Sequence, residues 1–181
     1  TGECAAGSYC TTLATTAIQT SVTSTGGPCP AGKYCPGNTI VGIDCPIGTY
    51  FTGTGNDGVI NDLVDLNFDP TSFLCTPCDN GRACLIEGLT ASTGPGTDAC
   101  DAGHFCYLGA SNIDAQCAES SCAGLYGLCP TGHKCEQGVT AAVPCPAGKY
   151  QADAGQSDCD NCIAGYYCDG GGGQPVICPA G

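Results

Sequence analysis

Nineteen cysteines, two histidines, four cations and 17 carboxylates in 181 residues are the side chains with which this chain could do chemistry. Cys75 and Cys78, and again Cys159 and Cys162, are separated by two residues, the spacing of a zinc ribbon or of a redox dithiol. Among so many cysteines at repeated spacings, structural disulfides are the stronger reading, because about 10% Cys is the composition of a disulfide scaffold. His104 and His133 fall at a repeat position also held by Ser8, Lys33, Thr49, Arg82, Lys149 and Tyr166, so the slot reads as a surface site. Neither histidine is a credible base. With no glycine-rich phosphate loop, no catalytic constellation can be assembled, and the chain is read as a non-enzyme that needs no cofactor.

Two stretches invite other chemistry. Asp57, Asn61, Asp62, Asp65, Asn67 and Asp69 form an acidic insert, and the alternation at Asp65, Asn67 and Asp69 has the look of the first ligands of a calcium loop. The sixth loop position is Pro70 where glycine is needed, and the twelfth is Thr76 where a bidentate Glu belongs, so a solvated acidic loop is the better reading. Between Cys10 and Cys29 lie Thr11, Thr12, Thr15, Thr16, Thr20, Ser21, Thr23, Ser24 and Thr25, with small apolar neighbours and almost no charge. They read as an extended O-glycosylated segment, a plain polar linker being the alternative.

A net charge of −13 repels a phosphate backbone, which excludes nucleic acid as a partner. Leu, Ile, Val and Phe number 29, about 16% of the chain, too few for one large core. Cross-links must then hold the fold, and such chains belong where thiols oxidise, so the expected location is extracellular, secreted or at the cell surface. No apolar run reaches the length of a membrane span, and the start at Thr1 without a signal peptide reads as mature ectodomain.

The elements that place the cysteines come from a repeat. Cys, any, any, Gly begins at Cys4, Cys29, Cys45, Cys78, Cys100, Cys129, Cys145, Cys162 and Cys178, and six copies continue to a further cysteine six residues after the first. Cys29, Cys35 and Cys45 recur without gaps as Cys129, Cys135 and Cys145, so a larger unit is present at least twice; the first copy carries an insert of 16 residues at roughly Gly53 to Pro70. Pro after the cysteine presets φ and Gly permits a positive φ, which predicts a tight turn bringing cysteines into bridging range. Tyr9, Tyr34, Tyr50, Phe105, Tyr150 and Tyr167 stand two residues past the glycine and read as the apolar plug of each module. The fold expected is an elongated array of short β-hairpins and turns, small disulfide-rich repeats with little helix and no single core, in which contacts run mainly between neighbours.

The pattern CPAGKY, a spacer, Cys, two residues, Cys, two residues, GlyTyrTyr, from Cys145 to Tyr167, resembles the ephrin-receptor-like, GCC2/GCC3-type cysteine-rich repeats and, more distantly, tumour-necrosis-factor-receptor and EGF-like modules. Such repeats occur in receptor ectodomains, matrix proteins, protist surface proteins and flagellar hairs (mastigonemes). The resemblance implies that the cysteine of a CPxGxY turn pairs with the first cysteine of the following Cys, two residues, Cys element, joining Cys45 with Cys75 and Cys145 with Cys159; the other pairings stay open. Nineteen cysteines cannot all pair within the chain, and a partner beyond Gly181 or in a neighbouring subunit is expected for the odd one. The modules are delimited as 1–28 with the Thr/Ser-rich insert, 29–84 with the acidic insert at 53–70, a divergent 85–128, and 129–181. The function expected is that of a structural segment of a glycosylated extracellular filament, flagellar hair or surface coat, self-associating or stacking on neighbouring repeats. The alternative is a receptor or adhesion ectodomain that binds a protein or glycan.

Overall fold

The structure is a computed structural model, and it describes residues 3–11, 25–58, 75–111 and 126–179. Eight of the CxxG segments build the same local object. In each, the N–H of the residue after the glycine donates to the carbonyl of the residue after the cysteine: Ser8 to Ala5, Lys33 to Pro30, Thr49 to Pro46, Arg82 to Asp79, His104 to Asp101, His133 to Pro130, Lys149 to Pro146 and Tyr166 to Ile163, at 3.0–3.2 Å. The glycine is the third residue of this four-residue turn, with φ between 76° and 87°, a conformation that costs glycine nothing and other residues a good deal. Proline opens the turn, at Pro30, Pro46, Pro130 and Pro146, so its locked φ fixes the entry to the turn and leaves the corner to the residue that follows.

Each turn feeds a strand of two or three residues, which pairs with the strand leading into the next turn. In chain order these pairs are β1 (Ser8–Cys10) with β2 (Gly26–Pro28), β3 (Lys33–Tyr34) with β4 (Ile43–Asp44), β5 (Thr49–Tyr50) with β6 (Thr76–Pro77), and β7 (Arg82–Cys84) with β8 (Thr97–Ala99). They continue as β9 (His104–Cys106) with β10 (Tyr126–Leu128), β11 (His133–Lys134) with β12 (Val143–Pro144), β13 (Lys149–Tyr150) with β14 (Asp160–Asn161), and β15 (Tyr166–Tyr167) with β16 (Val176–Ile177). Isolated two-stranded hairpins of this length are marginal in water, so something other than the ladder within each must hold them. The described residues contain no helix, and the small disulfide-rich hairpin repeat expected from the sequence is the fold observed.

The chain divides into two compact units, residues 1–78 with 84–97 and residues 79–83 with 98–181, the boundary falling inside the strand pair β7 and β8. Sulfur takes the place of an aliphatic core. Cys29, Cys35, Cys45, Cys75, Cys78, Cys84, Cys100, Cys106, Cys129 and Cys135 are fully buried, while Ile40, Val41, Ile47 and Ile177 are at least half exposed. Tyr50 packs on Cys78, Cys84 and Leu89, which belong to the following repeat; the plug thus sits between repeats and not inside its own. Tyr166 and Tyr167 are 42% and 47% exposed.

Candidate functional site

The bridges are the chemistry of this chain. Six leading cysteines bond to the cysteine six residues on, joining Cys4 to Cys10, Cys29 to Cys35, Cys78 to Cys84, Cys100 to Cys106, Cys129 to Cys135 and Cys162 to Cys168, with Cα separations of 5.7–6.1 Å. The repeats led by Cys45 and Cys145 carry Phe51 and Gln151 at that trailing position. There the structure joins Cys45 to Cys75 and Cys145 to Cys159, at Cα separations of 5.7 and 5.8 Å.

Strand register explains the two alternatives. Tyr50 pairs with Thr76 and Tyr150 with Asp160, which sets Cys75 across from Phe51 and Cys159 across from Gln151. In the second hairpin Lys33 pairs with Asp44, placing Gly42 across from Cys35, and a Cβ built on Gly42 would lie 3.3 Å from the Cys35 Sγ. The trailing position and the residue facing it across the ladder are therefore two seats around one sulfur site. Neither Cys, two residues, Cys element closes on itself, since Cys75 and Cys78, like Cys159 and Cys162, belong to different bridges. The signal for the six local pairs was present in the sequence, as a trailing cysteine missing only where an extra cysteine stands three residues ahead of the next turn.

Main-chain hydrogen bonds join successive repeats. The turn-glycine N–H donates to the trailing carbonyl of the next repeat, Gly7 to Cys35, Gly32 to Phe51 and Gly48 to Cys84 in the first unit, and Gly81 to Cys106, Gly103 to Cys135, Gly132 to Gln151 and Gly148 to Cys168 in the second. The leading-cysteine carbonyl accepts from a loop residue of the next repeat, Cys4 from Asn38, Cys29 from Gly55, Cys45 from Gly88, Cys100 from Gly138, Cys129 from Gly155 and Cys145 from Gly171. These bonds satisfy backbone groups that burial would otherwise strand.

A closer contact reaches the next repeat but one. A Cβ on Gly7 would lie 2.6 Å from the Gly55 carbonyl oxygen, and one on Gly32, Gly81, Gly103 or Gly132 would collide with the carbonyl oxygen of Gly88, Gly138, Gly155 or Gly171 respectively. Contacts are thus not confined to nearest neighbours. In these five repeats the turn glycine is required twice over, for its φ and for the backbone lying against it.

Of the other residues singled out, Asp57 is exposed beside a buried Asn56, whose Oδ1 accepts the Gly58 N–H at 2.9 Å and whose Nδ2 lies 3.5 Å from the Cys75 Sγ. Asp62, Asp65, Asn67 and Asp69 lie outside the described residues. The Thr11 N–H donates to the Thr25 carbonyl at 2.9 Å, clasping the two ends of the Thr/Ser-rich insert, while residues 12–24 lie outside the described residues, as do Cys117 and Cys122. Cys178 is an exposed free thiol.

His104 departs from the surface site expected of it. Paired across the ladder with Leu128, it has both ring nitrogens buried without a hydrogen-bond partner, because the packing around each hairpin, and not the slot in the repeat, sets exposure. His133 lies with Nδ1 3.0 Å from the Thr131 carbonyl in an exposed setting. Among the described residues, no group of three or more His, Cys, Asp or Glu is placed to hold a metal ion.

Three lysines are held locally. Lys33 pairs with Asp44, Lys134 with Glu136 at 2.6 Å, and the Lys149 Nζ donates to the Cys159 carbonyl at 3.3 Å. The hydrogen bond and the charge of Glu136 push the Lys134 pKa above its ordinary value. The Cys159 backbone N–H, 2.8 Å from the Asp158 carboxylate, and then the charge of Lys149 hold Asp158 below its own.

No family model matches the chain. It is 32% identical over 137 residues, 76% of its length, to signal peptide, CUB and EGF-like domain-containing protein 3 of Mus musculus, and 31% identical over 137 residues to the protein of that name in Homo sapiens. The match spans 11% of the length of each of these relatives. Among the described residues no helix is long and apolar enough to cross a membrane. The eight described bridges and this similarity fit an extracellular protein. The chain is a run of disulfide-closed, cysteine-rich hairpin modules akin to part of an EGF-like domain-containing protein.

Proposed function

We propose that the chain is a structural, non-enzymatic segment of an extracellular filament, flagellar hair or surface coat, with its Thr/Ser-rich insert carrying O-linked glycans. The observation that supports this reading is the serial main-chain bonding inside each unit, where one repeat's turn glycine and leading cysteine are hydrogen-bonded to the next. Bridges and backbone bonds of this kind resist unfolding and proteolysis without calling on a large apolar core, which suits a mechanical role. In this reading its repeats are of the ephrin-receptor-like, GCC2/GCC3 kind. Electron microscopy of native material tests it: regular fibres or a lattice support the structural role, while dispersed monomers that capture a soluble ligand overturn it.

The similarity to a CUB and EGF-like domain-containing protein favours a second reading, a receptor or adhesion ectodomain for a protein or glycan partner. Ile40, Val41, Ile43 and Ile47, exposed in sequence proximity in the first unit, are the residues on which such a partner would draw. Saturable binding of a soluble ligand, abolished by charged substitutions at these four positions, would select this reading.

A further inference from the structure

We propose that Asn80 is a latent modification site, whose side-chain amide the bridged stack keeps from reacting with its own main chain and which deamidates once that stack is opened. The chain's single Asn-Gly step lies here and puts a carboxamide at the corner of a CxxG turn. Among the other eight copies the same corner holds alanine six times, and Ile47 and Thr131 in the remaining two, so none of them carries an electrophilic side-chain carbonyl. Asn80 is exposed, and the glycine that follows it offers a nitrogen with no side chain to hinder it.

The reaction needs only water. The Gly81 nitrogen attacks the Asn80 Cγ; the bond from Cγ to the amide nitrogen breaks, and the proton given up by Gly81 leaves with that nitrogen as ammonia, closing a succinimide ring. Water then opens the ring at either carbonyl, leaving aspartate or, with the main chain rerouted through the side chain, isoaspartate.

The fold withholds what the attack requires. Gly81 has φ 76° while Asn80 is not among the residues with a positive φ, and the Arg82 N–H donates to the Asp79 carbonyl at 3.1 Å. That combination is a type II turn, which sets ψ of Asn80 at about +120°. Ring closure needs the Cβ of an L residue to eclipse the next nitrogen, at ψ of about −120°, so the peptide plane between Asn80 and Gly81 must swing through roughly a third of a circle. Gly81 pins that plane. Its N–H donates to the Cys106 carbonyl at 2.7 Å, its own carbonyl accepts from Cys100 at 3.0 Å, and a Cβ built on it would lie 2.2 Å from the Gly138 carbonyl oxygen. The attacking nitrogen is thus bonded, turned the wrong way and backed by main chain, and all of these partners lie in the second unit.

Reducing the bridges, or opening this part of the unit, frees the peptide plane and turns a passing event into a covalent one. Isoaspartate lengthens the main chain inside a four-residue turn, so the Arg82 and Gly81 N–H groups no longer reach Asp79 and Cys106 together, and a chain that has opened and aged does not restack. The site does not depend on the filament reading.

Peptide mapping by mass on the full chain, held oxidised or held under reductant in the same mildly alkaline buffer, tests the proposal. The peptide bearing Asn80 should gain the mass of an amide turned acid in the reduced sample. In the oxidised sample the gain should be at least about tenfold slower, a factor equivalent to about 1.4 kcal/mol, which two net hydrogen bonds supply. N80A is expected to fold, since alanine fills this corner six times, and to abolish the gain. Equal rates in the two samples, a faster rate in the oxidised one, no gain in the reduced one, or an undiminished gain in N80A overturns the proposal. Reoxidised material should carry isoaspartate at position 80 mainly outside the natively bridged fraction, and an even distribution overturns the one-way character of the change.

Discussion

Replacing Gly132 by Ala and, separately, Gly148 by Ala should cost the second unit unequal amounts of stability, although the two glycines hold the same place in the same turn. Their φ values are 76° and 82°, and each donates to the trailing carbonyl of the next repeat and accepts from the next leading cysteine. They differ in what a side chain would meet. A Cβ on Gly132 collides with the Gly171 carbonyl oxygen and lies 2.8 Å from the carbonyl carbon behind it, whereas a Cβ on Gly148 has nothing within 4 Å. Gly148→Ala should therefore lose only the left-handed backbone cost of about 1–2 kcal/mol. Gly132→Ala adds an overpacking cost of about 1–3 kcal/mol, because the obstacle is backbone and cannot rotate away. Guanidinium unfolding with bridges intact, followed by tyrosine fluorescence, reads the difference. For a denaturant slope of about 3 kcal/mol/M, the midpoint should fall by about 0.3–0.7 M in Gly148→Ala and by about 0.7–1.7 M in Gly132→Ala. Equal shifts, or a larger one in Gly148→Ala, would refute the claim that packing against the next repeat but one constrains the turn.

The two-seat bridge predicts that Phe51→Cys combined with Cys75→Ala moves the Cys45 partner to position 51 without loss of fold, which non-reducing peptide mapping would show as a new Cys45-containing cross-link. Loop-closure entropy gives about 3.6 kcal/mol for the native separation of 30 residues and about 2.2 kcal/mol for a separation of six, so the relocated bridge should leave the chain about 1.4 kcal/mol less stable. Asp158, held low by the Cys159 N–H and by Lys149, should titrate below the usual 3.8. Because its folded pKa is depressed, its contribution to stability is present above the unfolded value and lost as pH falls through the folded one; NMR titration of Lys149→Ala should bring the carboxyl back toward 3.8. Cys178, exposed and unbridged within the chain, should react with iodoacetamide without reduction, whereas a Cys178 that is modified only after reduction would reveal a bridge to a partner outside these residues.

The turn was legible in the sequence because its cause is local: a glycine three residues after a cysteine, nine times over, can only mean a recurring backbone that needs a positive φ. Poverty in Leu, Ile, Val and Phe likewise announced cross-links in place of a core, and the described interior is built of sulfur. The pairs Cys45 with Cys75 and Cys145 with Cys159 came from a resemblance; the register that puts each second cysteine across from Phe51 or Gln151 exists only once strands pair. The burial of the His104 ring nitrogens was equally invisible, as was the packing of Tyr50 on Cys78 and Cys84, which depends on what the next repeat lays against it.

By itself the sequence determined the repeat, its turns and its reliance on sulfur, all of which follow from residue type and spacing along one stretch of chain. Tertiary structure alone decided which turn glycines have backbone packed against them and which do not. The physical reason is that Gly32 meets Gly88 and Gly132 meets Gly171 only after the hairpins have stacked, through carbonyls and amides that every residue carries and no composition reveals.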